Sequence, residues 1–174
     1  MNSVIRYLEN EPFSDRDIMK AVDGKANLVL YPDIAKYKTI DALLGKHKAC
    51  IILYITSDDP HNVFGHWVTI FKSGPKTLTF FDSYAYIFDS QLAFSKIPMP
   101  PYLTDLLERC NYDIIYNTHI LQNRKKPNIS TCGRHVAFRL NLRTMPNSEY
   151  AAFLNSDPNL TPDELVTYFT AYIK

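Results

Sequence analysis

The longest apolar run in the chain, ACIILYIT at residues 49–56, has no polar face. A β-branched run of that length predicts a strand buried on both sides of a sheet. Two more strand-length segments follow, HWVTIFK (66–72) and TLTFFDS (77–83), joined by SGPK. Gly and Pro in so short a connection predict a hairpin. DDPHNVFG, between the first strand and this hairpin, reads as a loop, and YDIIYNTHI (112–120) as a further strand.

The helical signals lie elsewhere. SDRDIMKAV opens with Ser14 and carries Asp17 three residues on, a capping spacing. TIDALLG (39–45) reads as a short helix stopped by Gly45. PPYLTDLLERC (100–110) starts with proline and sets Leu103, Leu106 and Leu107 on one face. After the basic loop QNRKKPNIS, a helix is predicted from about Thr131 to Leu142. TPDELVTYFTAYI begins the last one, with Thr161 as N-cap, Pro162 at the first position and Glu164 closing a capping box. Mixed but segregated elements of this kind predict a single α+β domain. Its expected parts are a helical N-terminal layer (1–45), a core (49–142) and a helical C-terminal tail (148–174).

Composition narrows the classes. With 174 residues, 46% of them hydrophobic, the chain is long enough to bury a core without disulfides or metals. A formal net charge of +1 argues against a nucleic-acid binder that works by charge alone. The three cysteines, Cys50, Cys110 and Cys132, include no CxxC pair. With a polar N-terminus unlike a signal peptide, this points to free thiols in a reducing compartment, and no apolar stretch approaches the length of a membrane span. No Cys or His pair has familiar metal-ligand spacing, so neither metal nor cofactor is expected.

Cys132, in NISTCGRHVAFRL, stands at a predicted helix start, where unpaired N–H groups and the helix dipole lower a thiol's pKa. Gly133 would leave space beside the sulfur for a substrate backbone. On local sequence alone, a structural cysteine fits this position equally well. Cys50 lies in an apolar strand and reads as a core residue, and Cys110 has no evident base beside it. Among the histidines, His47 and His61 read as surface residues, His119 as a strand end and His135 as one turn along the cysteine's own helix. His66 opens an aromatic-rich strand between Gly65 and Trp67. Asp82 ends the second arm of the hairpin, and an aspartate beside the imidazole would hold its tautomer. Gln122 lies ten residues before Cys132, and its amide would serve an oxyanion together with the Cys132 backbone N–H.

The ordered set Gly65-His66-Trp67, Phe81-Asp82-Ser83, Gln122 and Cys132-Gly133 resembles the adenovirus-protease and Ulp1-like cysteine peptidases. GHWVTIF, FFDSYA and STCGRHVAFRL look closest to the short maturation proteases of virophages, Polinton-like elements and large DNA viruses. The match runs from about residue 49 to 142. It implies a circularly permuted papain-like fold, with a central mixed sheet carrying His66 and Asp82 and with Cys132 at a helix start. It also implies a viral endopeptidase that cuts capsid precursors after small residues, of the Gly-Gly or Gly-X type, in infected-cell cytoplasm, virus factory and virion. This chain departs from the family in a longer gap between Gln122 and Cys132 and in Ser83, where some relatives carry proline.

In the expected mechanism Asp82 orients His66, and His66 takes the proton of Cys132. The thiolate then attacks a carbonyl whose oxyanion rests on Gln122 and the Cys132 N–H. Gly65, Trp67 and Gly133 are expected to line the substrate cleft. A monomer acting on a protein substrate is expected. Two alternatives stand beside this reading: an isopeptidase that removes ubiquitin-like modifiers with the same site, and a non-enzymatic interaction protein. Arg124, Lys125 and Lys126 read either as a solvated loop or as a holder of the thiolate, an acidic substrate segment or nucleic acid.

Overall fold

The computed structural model describes residues 3–58, 61, 63–126 and 128–173. Asp59, Pro60 and Asn62 of the expected loop DDPHNVFG, and Pro127 of the basic loop, lie outside the described residues. Five strands form one mixed sheet: β1 (Asn27–Leu30), β2 (Ala49–Ile55), β3 (Gly65–Gly74), β4 (Thr77–Phe81) and β5 (Asp113–Tyr116). They lie side by side in chain order; β1 pairs with β2 and β4 with β5 in parallel, while the two inner pairings are antiparallel. The helices are α1 (Ser3–Asn10), α2 (Asp15–Ala21), α3 (Ile40–Leu44), α4 (Tyr102–Glu108), α5 (Cys132–Asn141), α6 (Asn147–Leu154) and α7 (Pro162–Thr170). This is an α+β architecture.

The two-sided apolarity of β2 explains how the layers assemble. Cys50, Ile52 and Tyr54 face one core with Val68, Ile70, Leu78 and Phe80, covered by α3 and α4. Ala49, Ile51 and Leu53 face a second core with Trp67 and Phe71, covered by α2 and α5. Each fully buried aliphatic side chain contributes about 1.5–3 kcal/mol, so a strand with no polar face holds both layers to the sheet. A third cluster packs Tyr150, Leu154, Leu165 and Val166 of α6 and α7 against Phe81 at the end of β4.

The capping signals act as expected. Ser14 with Asp17, and Thr161 with Glu164, both close reciprocal capping boxes. Gly45 ends α3 with φ +61°, a conformation that costs glycine little. The first 45 residues are not purely a helical layer, however. They supply β1, whose four residues pair with Cys50 to Leu53. Leu30 is followed directly by a 3-10 turn containing Pro32, so the strand is too short to show a period. Strand β5 stops at Tyr116, well before His119.

Two buried arginines lock α5 in place. Arg134 donates to the carbonyl of Leu8 and the hydroxyl of Thr170, and its guanidinium lies 4.1 Å from the Phe13 ring centre. Arg139 donates to the carbonyls of Leu142 and Met145 and to Asn147, bridging the end of α5 to α6. The helix that begins with Cys132 is thus fixed at both ends. Among the described residues, no helix is long and apolar enough to cross a membrane.

Candidate active site

The hairpin brings the first two candidates together. Thr69 pairs with Phe81, so the register, continued past the ladder, sets His66 across from Tyr84 and next to Asp82. His66 Nε2 lies 2.9 Å from Asp82 Oδ1, with both side chains buried. Asp82 is held from several directions. Its Oδ1 accepts the Tyr84 N–H at 2.7 Å and its Oδ2 accepts Gln91 Nε2 at 2.8 Å, while its carbonyl accepts Asn117 Nδ2 at 2.9 Å. The Tyr84 ring stacks on the imidazole at 4.5 Å. A carboxylate fixed in this way can set both the tautomer and the plane of the imidazole.

Since Nε2 faces Asp82, Nδ1 is the nitrogen left for a second partner. The neighbour on that side is Cys132, the first residue of α5, which lines the same cleft as His66 and whose interaction with the ring favours the imidazolium. Burial pushes the Cys132 thiol up, but the hydrogen bond and charge of His66, with the backbone N–H groups of Trp67 and Gly133, bring it below the ordinary thiol value. Burial likewise opposes the charge on His66, and Asp82 and Cys132 outweigh it, raising the imidazole to about 10. Opposite shifts in two groups on the same cleft favour a thiolate–imidazolium pair over a neutral pair. Thr131 makes no side-chain capping bond to α5, which leaves first-turn N–H groups for the sulfur.

Gln122 reaches the same place despite the long loop that follows it. It is buried, its N–H donates to the Ser83 carbonyl at 3.0 Å, and its Oε1 accepts the Ser83 hydroxyl at 2.7 Å. With the oxygen occupied, the NH2 end is the one available to a ligand. His66, Gln122 and Cys132 line a cleft of about 1040 Å³, with Phe13, Phe64 and Tyr86 among its apolar walls.

The expected cleft residues divide. Gly65 and Trp67 line the cleft. A Cβ on Gly65 would lie 1.9 Å from the Tyr54 carbonyl oxygen, so the close approach of β2 requires glycine there. Trp67 is mostly core, and its backbone N–H is the part that reaches the sulfur. Gly133 is not a cleft residue. A Cβ there would lie 2.8 Å from Phe13 Cβ and 3.1 Å from Ile18 Cδ1, so its small size serves the packing of α5 on α2.

The remaining candidates lie outside the constellation. Cys50 is fully buried, and burial pushes its thiol far up. Cys110 borders a separate hollow beside Arg109 and Tyr112. His119 is exposed, whereas His135 is buried, with Nε2 3.1 Å from Asp163 Oδ1. The basic loop is partly committed. Arg124 donates to the Tyr84 carbonyl and lies 4.0 Å from the Tyr86 ring centre, and Lys126 Nζ lies 3.4 Å from Glu9 Oε2. Reading the sequence missed the supports Ser83, Tyr84 and Gln91. Only the register extrapolation from His66 to Tyr84 carried a signal for any of them.

Fold and site together describe an α+β protein in which a half-buried cysteine, a buried His–Asp pair and a buried glutamine meet at one cleft. No protein-family model matches the chain. Over 178 residues, covering 95% of this chain and 98% of the relative, it is 35% identical to "Uncharacterized protein V9" of Sputnik virophage. The chain belongs to the family of that virophage protein. Solved structures with a distant overall likeness include a de-sumoylating protease, with a TM-score of 0.37, 14% identity and 99% of this chain and 80% of that one covered. Another is the SUMO protease Ulp1 with its catalytic cysteine oxidized to a sulfonic acid, with a TM-score of 0.36, 14% identity and 100% and 88% covered.

Proposed function

We propose that this protein is a viral cysteine endopeptidase that cleaves virion precursor proteins after small residues. The observation that carries the reading is the convergence of Asp82, His66 and Cys132: His66 Nε2 lies 2.9 Å from Asp82 Oδ1, Cys132 lines the same cleft as His66, and the two shift each other, the imidazole up and the thiol down. In this account the Cys132 thiolate attacks the scissile carbonyl. Gln122 and the Cys132 N–H receive the developing oxyanion. His66, already protonated, donates to the leaving amine, and a water that it deprotonates then hydrolyses the thioester. Asp82 holds the ring so that Nδ1 serves both steps.

The cleft supports the choice of substrate class. Gly65 and Trp67 line the cleft that holds Cys132 and the Tyr84 ring covers the imidazole, a setting that suits a residue with little or no side chain before the cut. The virophage relative supports a viral setting, and we place the activity in the infected cell, where precursors and a reducing environment coexist.

The test is to incubate precursor proteins of the parent virus with wild type and with Cys132→Ala, and to locate new termini by mass spectrometry. Cuts after glycine or another small residue, absent with Cys132→Ala, are expected. Equal cutting by Cys132→Ala would overturn the assignment. Labelling of Cys132 by ubiquitin- or SUMO-vinyl sulfone without precursor cleavage would replace endopeptidase with isopeptidase.

A further inference from the structure

We propose that Asp163, on α7, is a positioning residue that sets the spacing between the nucleophile and the oxyanion donor. The proposal rests on the peptidase reading above, and it concerns a carboxylate that does not itself face the cleft. Asp163 is 2% exposed. Its Oδ2 accepts the backbone N–H of Asn123, the residue after Gln122, at 2.8 Å. Its Oδ1 accepts the hydroxyl of Thr131, the residue before Cys132, and lies 3.1 Å from Nε2 of His135, one turn further along α5. One carboxylate thus gathers both ends of the segment that joins the glutamine to the cysteine.

The local chemistry shows a choice made at the helix start. A threonine at an N-cap ordinarily turns its oxygen to the first-turn N–H groups. Thr131 makes no such bond and gives its hydroxyl to Asp163 instead. The Gly133 N–H therefore stays with the Cys132 sulfur. Asp163 is itself supported as an anion: it lies in the first turn of α7, behind the Thr161–Glu164 capping box, where the helix dipole favours negative charge. Burial would favour its neutral form, but His135, Thr131 and the Asn123 N–H outweigh that and lower its pKa.

The intervening loop has other ties. Ser130 N–H donates to the Glu9 carbonyl at 2.8 Å, and Lys126 pairs with the Glu9 carboxylate. Those contacts tie the loop to α1, whereas Asp163 is the group, among the described residues, that joins Asn123 to Thr131, the positions flanking Gln122 and Cys132. Loss of its hold would let the two groups drift apart, and a misplacement of about 1 Å in such a constellation can cost roughly a hundredfold in rate.

The experiment uses the full chain with Asp163→Asn, Thr131→Val and Thr131→Ser. It measures kcat and KM on a Gly-Gly aminocoumarin peptide, the rate of Cys132 alkylation by iodoacetamide near neutral pH, and the melting transition. Asp163→Asn and Thr131→Val should each lower kcat by about tenfold or more with KM within about threefold, the signature of a contact that matters for the reacting geometry. Alkylation should slow by at least about threefold, because Cys132 is no longer held against its N–H donors. Thr131→Ser, which keeps the hydroxyl, should recover about half or more of the wild-type kcat. Folded variants with wild-type kcat and alkylation would overturn the proposal, as would Thr131→Ser as impaired as Thr131→Val. Loss of the melting transition in both Asp163→Asn and Thr131→Val would also overturn it, by reducing the carboxylate to a core anchor. If wild type fails to cleave the peptide, alkylation decides alone: slowing in the variants keeps the hold of Asp163 on Cys132 while the peptidase reading falls.

Discussion

Ser83→Ala removes one oxygen and separates orientation of the oxyanion donor from formation of the thiolate. The Ser83 hydroxyl donates to Gln122 Oε1 at 2.7 Å and touches neither His66 nor Cys132 by hydrogen bond. Without it, the amide keeps its backbone tie, the Gln122 N–H to the Ser83 carbonyl at 3.0 Å, but loses the contact that decides which end faces the cleft. A neutral hydrogen bond of this kind contributes about 0.5–1.5 kcal/mol, and complete loss of an oxyanion donor costs about 2.7–4 kcal/mol in kcat. Since the amide keeps its place and loses only the contact that orients it, the expected loss lies at the upper end of the first range, about 1.4 kcal/mol, or about tenfold in kcat. Gln122→Ala should cost about a hundredfold or more. The assay is turnover of a Gly-Gly aminocoumarin peptide, with iodoacetamide alkylation of Cys132 as control. Alkylation should change by less than about twofold, since the thiolate depends on His66 and two N–H groups. Wild-type turnover in Ser83→Ala would refute the orienting role, and a parallel fall in alkylation would show that the serine acts on the nucleophile instead.

Two further substitutions test the packing beneath the site. Gly133→Ala sets a Cβ within 2.8 Å of Phe13 Cβ, close to backbone that cannot swing aside, so overpacking should cost about 1–3 kcal/mol in a denaturant titration. Unchanged stability would show that α5 and α2 are not in the contact described. Glu9 is 1% exposed, and burial raises its carboxyl above 4.5 despite Lys126. A raised folded pKa means that the native state binds this proton more tightly than the unfolded chain. Its stabilising contribution is therefore complete at pH below 4.5 and is lost as pH rises through the raised value. Glu9→Gln should remove that loss and raise the melting temperature near neutral pH, by roughly 2–4 °C per kcal/mol recovered. A lower melting temperature would show that the pairing with Lys126 outweighs burial.

What the sequence revealed follows from the range of the interactions involved. Strand β2 was legible because its two-sided apolarity is written in consecutive residues, and both capping boxes because their partners are three residues apart. Strand β1 was not, since its four residues owe their form to pairing with β2. His66 and Asp82 could be placed near each other because a hairpin register links them. Ser83 and Gln91 could not be assigned roles: a neutral polar residue carries no signature until the group it orients is known. Gly133 was misplaced for a related reason. A glycine beside a reactive cysteine fits an open cleft and a tight helix contact equally well in sequence, and only the neighbouring Phe13 and Ile18 decide between them. Asp163 was beyond sequence reading because the donors it gathers come from separate elements.

The account turns on the Cys132–His66 pair, and the pH dependence of Cys132 alkylation tests it most directly. Rates should be followed by mass spectrometry at Cys132, Cys110 and Cys50 in wild type and in His66→Ala. The lowered thiol and the raised imidazole, at about 10, leave the ion pair in place from the depressed thiol value up to the imidazole value. Wild-type alkylation at Cys132 should therefore rise through a midpoint below the ordinary thiol value, ahead of Cys50, whose thiol burial pushes up. In His66→Ala, burial is no longer outweighed, and the midpoint should move up to or beyond that value. A wild-type midpoint at the ordinary value, unmoved by His66→Ala, would contradict the account.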